Sequence, residues 1–325
     1  MPRLDRAKLA PNGLDIRIQR RRVRGEFLRV WRMRVDDADQ RPPSGGAVPR
    51  PTFVLLHGLG VSSSYFEPLA AALAREGTVH LLDLPGFDGV PHGGHPLGID
   101  GFAEVVAAWV RSEGLTDPVL VGHSMGAQVV VETLVRHPDL ATRAVLIGPP
   151  VNASERSPMR QVLRLAQSSL HESFGTRRAA IAGYLRCGPH WVLRVLPALL
   201  NYPIEEKVRS LRARTLVLRG TWDHVAPQDW TTSLAAACPR GAHAVIEGAS
   251  HAVVYEHFAE VGVLVLAHAR GDAVDGARLD GRGPAAEPDG LAVGTVEDAR
   301  QVAQEVADEV DDAAADAPAS DPAHR

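Results

Sequence analysis

The chain has 325 residues, of which 45% are hydrophobic and 23% charged, and a net charge of −4. This composition excludes a wholly disordered chain, and the length supplies one large domain or two ordinary ones, with a core that needs neither disulfides nor a structural metal. The two cysteines, Cys187 and Cys238, make no disulfide framework, and no CxxC or HExxH spacing offers a metal site.

Charge is unevenly spread. Residues 1–34 hold 11 Arg or Lys against 3 Asp or Glu, a net of +8, and residues 271–325 hold 4 Arg against 14 Asp or Glu, a net of −10. The middle is left near neutral and gives no reason to expect a nucleic-acid groove. The basic run Arg17–Arg24 reads as a solvated, arginine-rich strand or hairpin. The charged N-terminus is followed by no apolar run of the roughly 7–15 residues of a secretory signal. No stretch nears the roughly 18 apolar residues of a membrane span. The expectation is a cytoplasmic protein without a stable membrane span; nothing in the pattern speaks to oligomeric state.

In chain order, residues 1–13 form a basic extension. Leu14–Val23 and Phe27–Arg34 read as a strand hairpin, and Asp36–Pro51 as a Pro/Gly-rich loop. Thr52–Leu56 is a short apolar strand that ends in His57-Gly58-Leu59-Gly60. Tyr65–Arg75 has helical spacing, and Val79–Leu82 is a strand leading into the turn Asp83-Leu84-Pro85-Gly86. Gly101–Ser112 is helical, Pro118–Val121 a strand, Met125–His137 a helix and Arg143–Ile147 a strand. Residues 151–210 break the rhythm: helices at Met159–Leu170, Thr176–Cys187 and His190–Leu200, and no strand. Thr215–Leu218 and Ala244–Ile246 are strands around a helix at Gln228–Ala237, and His251–His268 is the last helix. From about Gly271 the chain is rich in Ala and Asp and has no aromatic residue, which reads as a disordered acidic tail. Within it Val296, Ala299, Val302, Val306 and Val310 keep helical spacing.

Strands alternating with helices imply an α/β fold with a mostly parallel sheet. The core would be 14–150 and 211–270. The helical insertion 151–210 would lie over the ligand edge, as long functional insertions do.

Gly122-His123-Ser124-Met125-Gly126 is a G-x-S-x-G between a strand and a helix, the setting of a nucleophile elbow. Such a turn exposes Ser124 at the strand's carboxyl end and at a helix N-terminus, where developing negative charge is favoured. A serine needs a base, and the base an orienting acid. His251 follows a late strand on a loop at the same sheet edge, and His57 and His123, inside the two turns, read as structural. Asp223 follows the strand Thr215–Leu218, while Asp229 falls in the next helix and reads as solvated. The order Ser124, Asp223, His251 is that of nucleophile, acid and base on this architecture. For the oxyanion, the N–H of Met125 and that of Leu59 in the HGLG turn are the candidate donors. Phe66, Phe87, Phe174, Tyr184 and Trp191 are candidates to line the pocket, although most aromatics at such positions pack in the core.

Together, HGLG at 57–60, DLPGFDG at 83–89, GHSMG at 122–126, GTWDHVAP at 220–227 and GASHAVVYEHF at 248–258 resemble the alpha/beta-hydrolase superfamily. The nearest kind is the cap-bearing serine hydrolases of the esterase, lipase and carbon–carbon-bond hydrolase type. The resemblance covers about 14–268. It implies an eight-stranded, mostly parallel sheet, a Ser–His–Asp triad, no cofactor, and a helical cap at 151–210 that shapes the pocket. Serine at 124 sets the chain apart from haloalkane dehalogenases, which resemble this fold with aspartate there. Ala252 stands where ring-cleavage carbon–carbon hydrolases often carry tryptophan. The expected activity is hydrolysis of a carboxylic ester or related acyl bond in a small-molecule substrate. Acyl transfer, thioester hydrolysis and carbon–carbon cleavage are alternatives for the same site, and a non-catalytic ligand-binding protein is a third reading.

Overall fold

The computed structural model describes residues 6–9, 13–35 and 50–281. Most of the expected loop 36–51 and the acidic tail beyond 281, with its helical spacing at Val296–Val310, lie outside the described residues. Among the described residues ten strands form one sheet. They are β1 (Arg6–Leu9), β2 (Leu14–Val23), β3 (Glu26–Val35), β4 (Thr52–Leu56), β5 (Thr78–Asp83), β6 (Val119–His123), β7 (Arg143–Ile147), β8 (Arg214–Gly220), β9 (Gly241–Glu247) and β10 (Ala277–Asp280). Their spatial order is β1-β2-β3-β5-β4-β6-β7-β8-β9-β10. The first three strands are antiparallel to their neighbours and the rest are parallel.

The helices are α1 (Glu67–Ala74), α2 (Ile99–Ser112), α3 (Met125–Arg136), α4 (Pro158–Ser169), α5 (Phe174–Cys187), α6 (Pro189–Asn201), α7 (Ile204–Lys207), α8 (Gln228–Ala237), α9 (Val253–Glu256) and α10 (Phe258–Arg270). The central strands are apolar throughout because helices cover both faces. Val54 and Leu56 of β4 pack in one core with residues of α2, α3 and α8. The intervening Phe53 and Leu55, equally buried, point to the other face by strand alternation, where α1 pairs with α10.

The sheet thus has ten strands rather than eight. The added β1 and β10 are four-residue edge strands, RAKL and ARLD, with no apolar run to announce them. Backbone pairing to an existing edge is enough to form them. β10 also corrects the start of the tail. The chain after Gly271 stays ordered to residue 281: Val274 is buried, β10 pairs with β9, and Arg278 Nε donates to Glu247 at 2.7 Å. The last helix is two helices, broken at His257, whose backbone leaves the helical region at φ −119° and ψ 37°. Two of the four arginines of β2 are paired with acids: Arg17 with Asp15 and Arg21 with Glu113.

The chain runs from β4 outward to β5 and then returns to the other side of β4 as β6. That reversal opens a crevice at the carboxyl ends of β4 and β6, the place where open α/β sheets take ligands. The HGLG turn leaves β4 there and Ser124 leaves β6.

Asp83, at the end of β5, anchors this edge. Its Oδ2 accepts from Arg29 Nε (2.7 Å), Trp31 Nε1 (3.1 Å) and Ser63 Oγ (3.0 Å), and its Oδ1 from Ser63 N (2.6 Å). Burial pushes the carboxyl up, but the buried Arg29 guanidinium and these hydrogen bonds bring it below the usual carboxylate range. Next along the chain, Leu84 N donates to His57 Nε2 at 3.1 Å, so the same turn holds the start of HGLG.

Asp83→Ala leaves the buried Arg29 with Asp88 as its remaining acidic partner and Trp31 Nε1 and Ser63 without their acceptor, and is expected to cost about 3 kcal/mol in urea unfolding at pH 7. A loss below about 1 kcal/mol, the worth of a surface ion pair, would show the network to be dispensable. Because its folded pKa is depressed, the contribution is present above the unfolded value of about 3.9 and is lost as pH falls through the folded one.

Candidate active site

Ser124 sits between β6 and α3 at φ 53° and ψ −122°, a backbone conformation that side-chain-bearing residues rarely hold. Its N–H donates to Ile147 O at 2.9 Å and its carbonyl accepts from Ala127 N at 2.9 Å. The glycines on either side are sterically required. A Cβ on Gly122 would lie 2.2 Å from Gly126 O, and one on Gly126 would lie 2.1 Å from Leu56 O. The second contact shows that the first turn of α3 rests directly on the end of β4.

That contact brings the HGLG turn against the serine. A Cβ on Gly58 would stand 3.0 Å from Ser124 Cβ. Gly60 has φ +77°, and a Cβ there would fall 2.2 Å from Tyr184 Cε1 of α5. The turn is held between Ser124 and the Tyr184 ring. Leu59 lies at its tip and Met125 opens α3. Among the described residues neither N–H is used in a turn or loop hydrogen bond, and a first-turn N–H has no intrahelical acceptor. His57 Nδ1–H donates to Gly58 O at 2.8 Å while Nε2 accepts from Leu84, and burial holds the ring below its usual pKa. His57 therefore braces the turn as a neutral imidazole.

Asp223 and His251 come from loops after β8 and β9. The loops are locked to each other: Thr221 N donates to Ile246 O (2.9 Å) and Trp222 N to Ala249 O (2.8 Å). Arg219, buried under the first loop, donates to the carbonyls of Thr221, Asp223 and Ala226. Asp223 Oδ1 accepts from Val225 N and Ala226 N, both at 3.0 Å. Both carboxylate oxygens face His251 Nδ1, at 3.0 and 2.9 Å. Asp229, the rival acid, is in α8.

Burial alone would lower the pKa of His251. The Asp223 charge, its hydrogen bond and the charge of Glu172 outweigh that and raise it above the usual value. For Asp223 burial pushes up, and His251, the Ala226 N–H and Arg219 bring the carboxyl below its usual range. With Nδ1–H on Asp223, Nε2 is the nitrogen left to take a proton. His123 stands beside the pair, its ring 4.7 Å from that of His251, and its Nε2–H donates to the His251 carbonyl at 2.9 Å. Burial, with His251 next to it, pushes His123 down to about 3, so it too stays neutral.

Ser124 and His251 line one cavity of about 410 Å³, roofed by α4, α5 and α6. Its wall is mainly aliphatic, with Val162, Leu165, Ile181, Leu196 and Leu199 among the lining residues. Polar groups also enter the wall from outside the motifs: Gln161, Ser169 and Arg177, together with Glu172 and Tyr184. Tyr184 faces the cavity rather than packing only in the core, and Glu172 enters from the α4–α5 junction. Ser250 Oγ donates to Glu172 Oε1 at 3.4 Å. Burial and the nearby Glu256 raise the Glu172 pKa against the opposing pull of His251. The one advance signal for Glu172 is that it is the sole acid in 158–201. Of the other aromatics, Phe66, Phe87 and Trp191 are buried, whereas Phe174 is 77% exposed and not core at all. Among the described residues no group of three His, Cys, Asp or Glu side chains is arranged to hold a metal ion, and no helix is long and apolar enough to cross a membrane.

The elbow makes a prediction of opposite signs. Gly126→Ala must move α3 off β4 and is expected to lower stability by about 1–3 kcal/mol or more. Gly262→Ala in α10, where the nearest atom to a new Cβ is Leu69 Cδ1 at 3.7 Å, is expected to raise it by about 0.5–1 kcal/mol. Thermal melts of the two variants check both signs.

Comparison with known proteins agrees with this architecture. A stretch of the chain is 36% identical over 95 residues to a pimeloyl-[acyl-carrier protein] methyl ester esterase of Shewanella woodyi, covering 29% of this chain and 34% of the relative. A 2-(acetamidomethylene)succinate hydrolase of Mesorhizobium japonicum is 27% identical over 164 residues, 50% of this chain and 58% of the relative. The chain thus matches about a third of the first and under three fifths of the second. Among solved structures, a thermophilic esterase from Thermogutta terrifontis superposes with a TM-score of 0.62 at 17% identity, over 83% of this chain and 99% of that one. The family model described as the Alpha/beta hydrolase family matches residues 53–264, more than half of the chain. The chain belongs to the Alpha/beta hydrolase family.

Proposed function

We propose that the protein is a serine hydrolase acting on a carboxylic ester or related acyl bond. The observation that carries this reading is the pairing of His251 Nδ1 with both oxygens of Asp223, at 2.9 and 3.0 Å, in the cavity that the strained Ser124 turn enters. In this mechanism Ser124 Oγ attacks the acyl carbon while His251 Nε2 takes its proton. Asp223 fixes the ring and offsets the charge of the imidazolium. The N–H groups of Leu59 and Met125 receive the developing oxyanion. When the tetrahedral species collapses, His251 passes its proton to the leaving oxygen. Water, deprotonated by the same nitrogen, then attacks the acyl-enzyme and frees the acid.

The aliphatic wall favours an apolar acyl or alcohol part over a charged one. The helices α4 to α6 act as the cap, since they close the cavity above Ser124. The esterase and hydrolase named above supply the class of chemistry but not the substrate. No cofactor enters the scheme, and a cytoplasmic location goes with it.

Ser124→Ala tests the mechanism. A fluorophosphonate probe is expected to label the wild type at Ser124 and not the variant. Turnover of p-nitrophenyl esters should fall by roughly 10⁶, as when a triad nucleophile is removed. Full ester turnover by the variant would sink the proposal.

The raised His251 pKa makes a second test. The base acts when neutral, so kcat/KM should climb with pH through a value above the usual imidazole pKa of about 6.5. Glu172 contributes to that elevation. Glu172→Gln should therefore move the acidic limb to lower pH. An unmoved limb would mean that Glu172 bears no charge in the working enzyme.

A further inference from the structure

Eight of the ten large hydrophobic side chains that are exposed among the described residues lie on the three helices over the cavity or, for Leu170, directly after the first of them, each between 56% and 77% exposed. They form stripes. On α4, Met159, Val162 and Leu163 recur at helical spacing and the row continues to Leu170 just past its end. On α5, Phe174, Ile181 and Leu185 are separated by seven and four residues, one face of a helix. Leu193 adds one from α6. Isolated exposed apolar residues need no explanation, but such a concentration marks an interaction surface.

Charge narrows the partner. Residues 158–201 contain 6 Arg and 1 acidic residue, Glu172, a net of +5. Glu172 is buried and faces inward. Arg164 is paired with Glu155 and Arg186 with Asp88. Arg177 and Arg178 flank the α5 stripe, and among the described residues neither has an acidic partner. Outward apolar stripes bordered by arginines are the composition of a helix that lies in the plane of an anionic lipid surface.

The cavity joins the two. Val162, Ile181 and Leu193 are at once cavity-lining and more than half exposed. At these three positions the apolar wall that begins beside Ser124 continues to the outer face, and Arg177, which flanks the α5 stripe, also lines the cavity. We propose that the outer face of α4–α6 docks on an anionic lipid–water interface, and that a lipophilic ester passes from it directly into the cavity. The docking stands independently of the chemistry; the ester as cargo rests on the serine-hydrolase reading.

Flotation of the full-length protein with large unilamellar vesicles tests this, without substrate. Wild type and Ser124→Ala are expected to float alike with phosphatidylcholine vesicles containing phosphatidylglycerol, and about tenfold less with phosphatidylcholine alone or at high salt. Phe174→Glu and Leu170→Glu, outside the cavity, should each lower flotation about tenfold, while Phe174→Leu keeps it. Hydrolysis of a short water-soluble ester by these variants reports that the fold is intact. Arg178→Glu should weaken binding to the anionic vesicles selectively, and Arg22→Glu on the β2–β3 hairpin should not. Wild type that stays unbound with both vesicles, or Phe174→Glu that binds as wild type does, overturns the proposal. So does sensitivity to Arg22→Glu alone, which assigns the binding to the hairpin. A wild-type dimer in sedimentation velocity that Phe174→Glu dissociates, with no flotation, gives the face to a second copy of the chain instead. Loss of ester turnover in Ser124→Ala decides the chemistry separately.

Discussion

The close approach of α3 to the end of β4 is the constraint on which the site is built. Gly126 meets Leu56 O at a distance that leaves no room for a Cβ, and Gly122 meets the backbone of Gly126 in the same way. Two backbone segments can come so near only if the residue facing the other backbone has no Cβ. The consequence is positional. Ser124 is forced to a positive φ, with its side chain at the crevice between β4 and β6 and the helix N-terminus behind it. The HGLG turn, leaving β4 at the same point, is delivered to the other side of the serine. One steric condition thus sets Ser124, the candidate nucleophile, between two candidate N–H donors. The strain in Ser124 persists because β6, β7 and α3 hold both of its backbone groups.

Three buried carboxyl groups around the site behave differently, and their partners explain why. Asp83 has a buried guanidinium, an indole N–H and both donors of Ser63. Asp223 has two backbone N–H groups and an imidazole. Both are held below the usual carboxylate range despite full burial, because donors and positive charge outweigh desolvation. Glu172 is met by the hydroxyl of Ser250 at 3.4 Å, and burial wins. It comes from the junction of α4 and α5. That junction is bonded to the loop of Asp223, through Ser250 to the loop of His251, and to α9. Ser168 Oγ accepts from His224 N at 2.9 Å, and Glu256 Oε1 accepts from Ser173 N and Thr176 Oγ1, both at 2.7 Å. A shift of the α4–α5 junction is therefore mechanically coupled to Asp223 and His251.

The parts of this architecture legible in the sequence are those with a local physical signature. The eight principal strands announce themselves as apolar runs or alternations. Ser124, Asp223 and His251 each follow such a strand, and the structure brings the three to one edge of the sheet. The edge strands β1 and β10 have no such signature, because they draw on backbone pairing and Arg278 on Glu247 rather than on apolar burial. The break at His257 is likewise a tertiary effect inside a continuous helical pattern. Glu172 was not legible, and Tyr184 was only one of five aromatic candidates for the pocket, because helical periodicity locates a helix but not its rotation over a distant turn. Phe174 shows the converse: hydrophobicity predicted burial, and the fold put the ring outside.

The rotation of α5 binds inside and outside together. Its inner face is pressed on the sheet edge, where a Cβ on Gly183 would lie 3.2 Å from Gly60 O and the Tyr184 ring fills the space over Gly60. In α6 Trp191 does the same over Gly86, whose missing Cβ would fall 2.2 Å from its ring. Each large aromatic is thus matched to a glycine of the site turns, so the helices cannot roll without opening the HGLG and DLPG turns. With that face fixed, Phe174, Ile181 and Leu185 have nowhere to go but outward. A helix of a water-soluble domain normally turns a polar face to solvent; here arginines occupy only the borders. Rolling α5 to bury the stripe would cost the packing that holds the candidate oxyanion turn. The exposed apolar face is therefore tied to the geometry of the site itself.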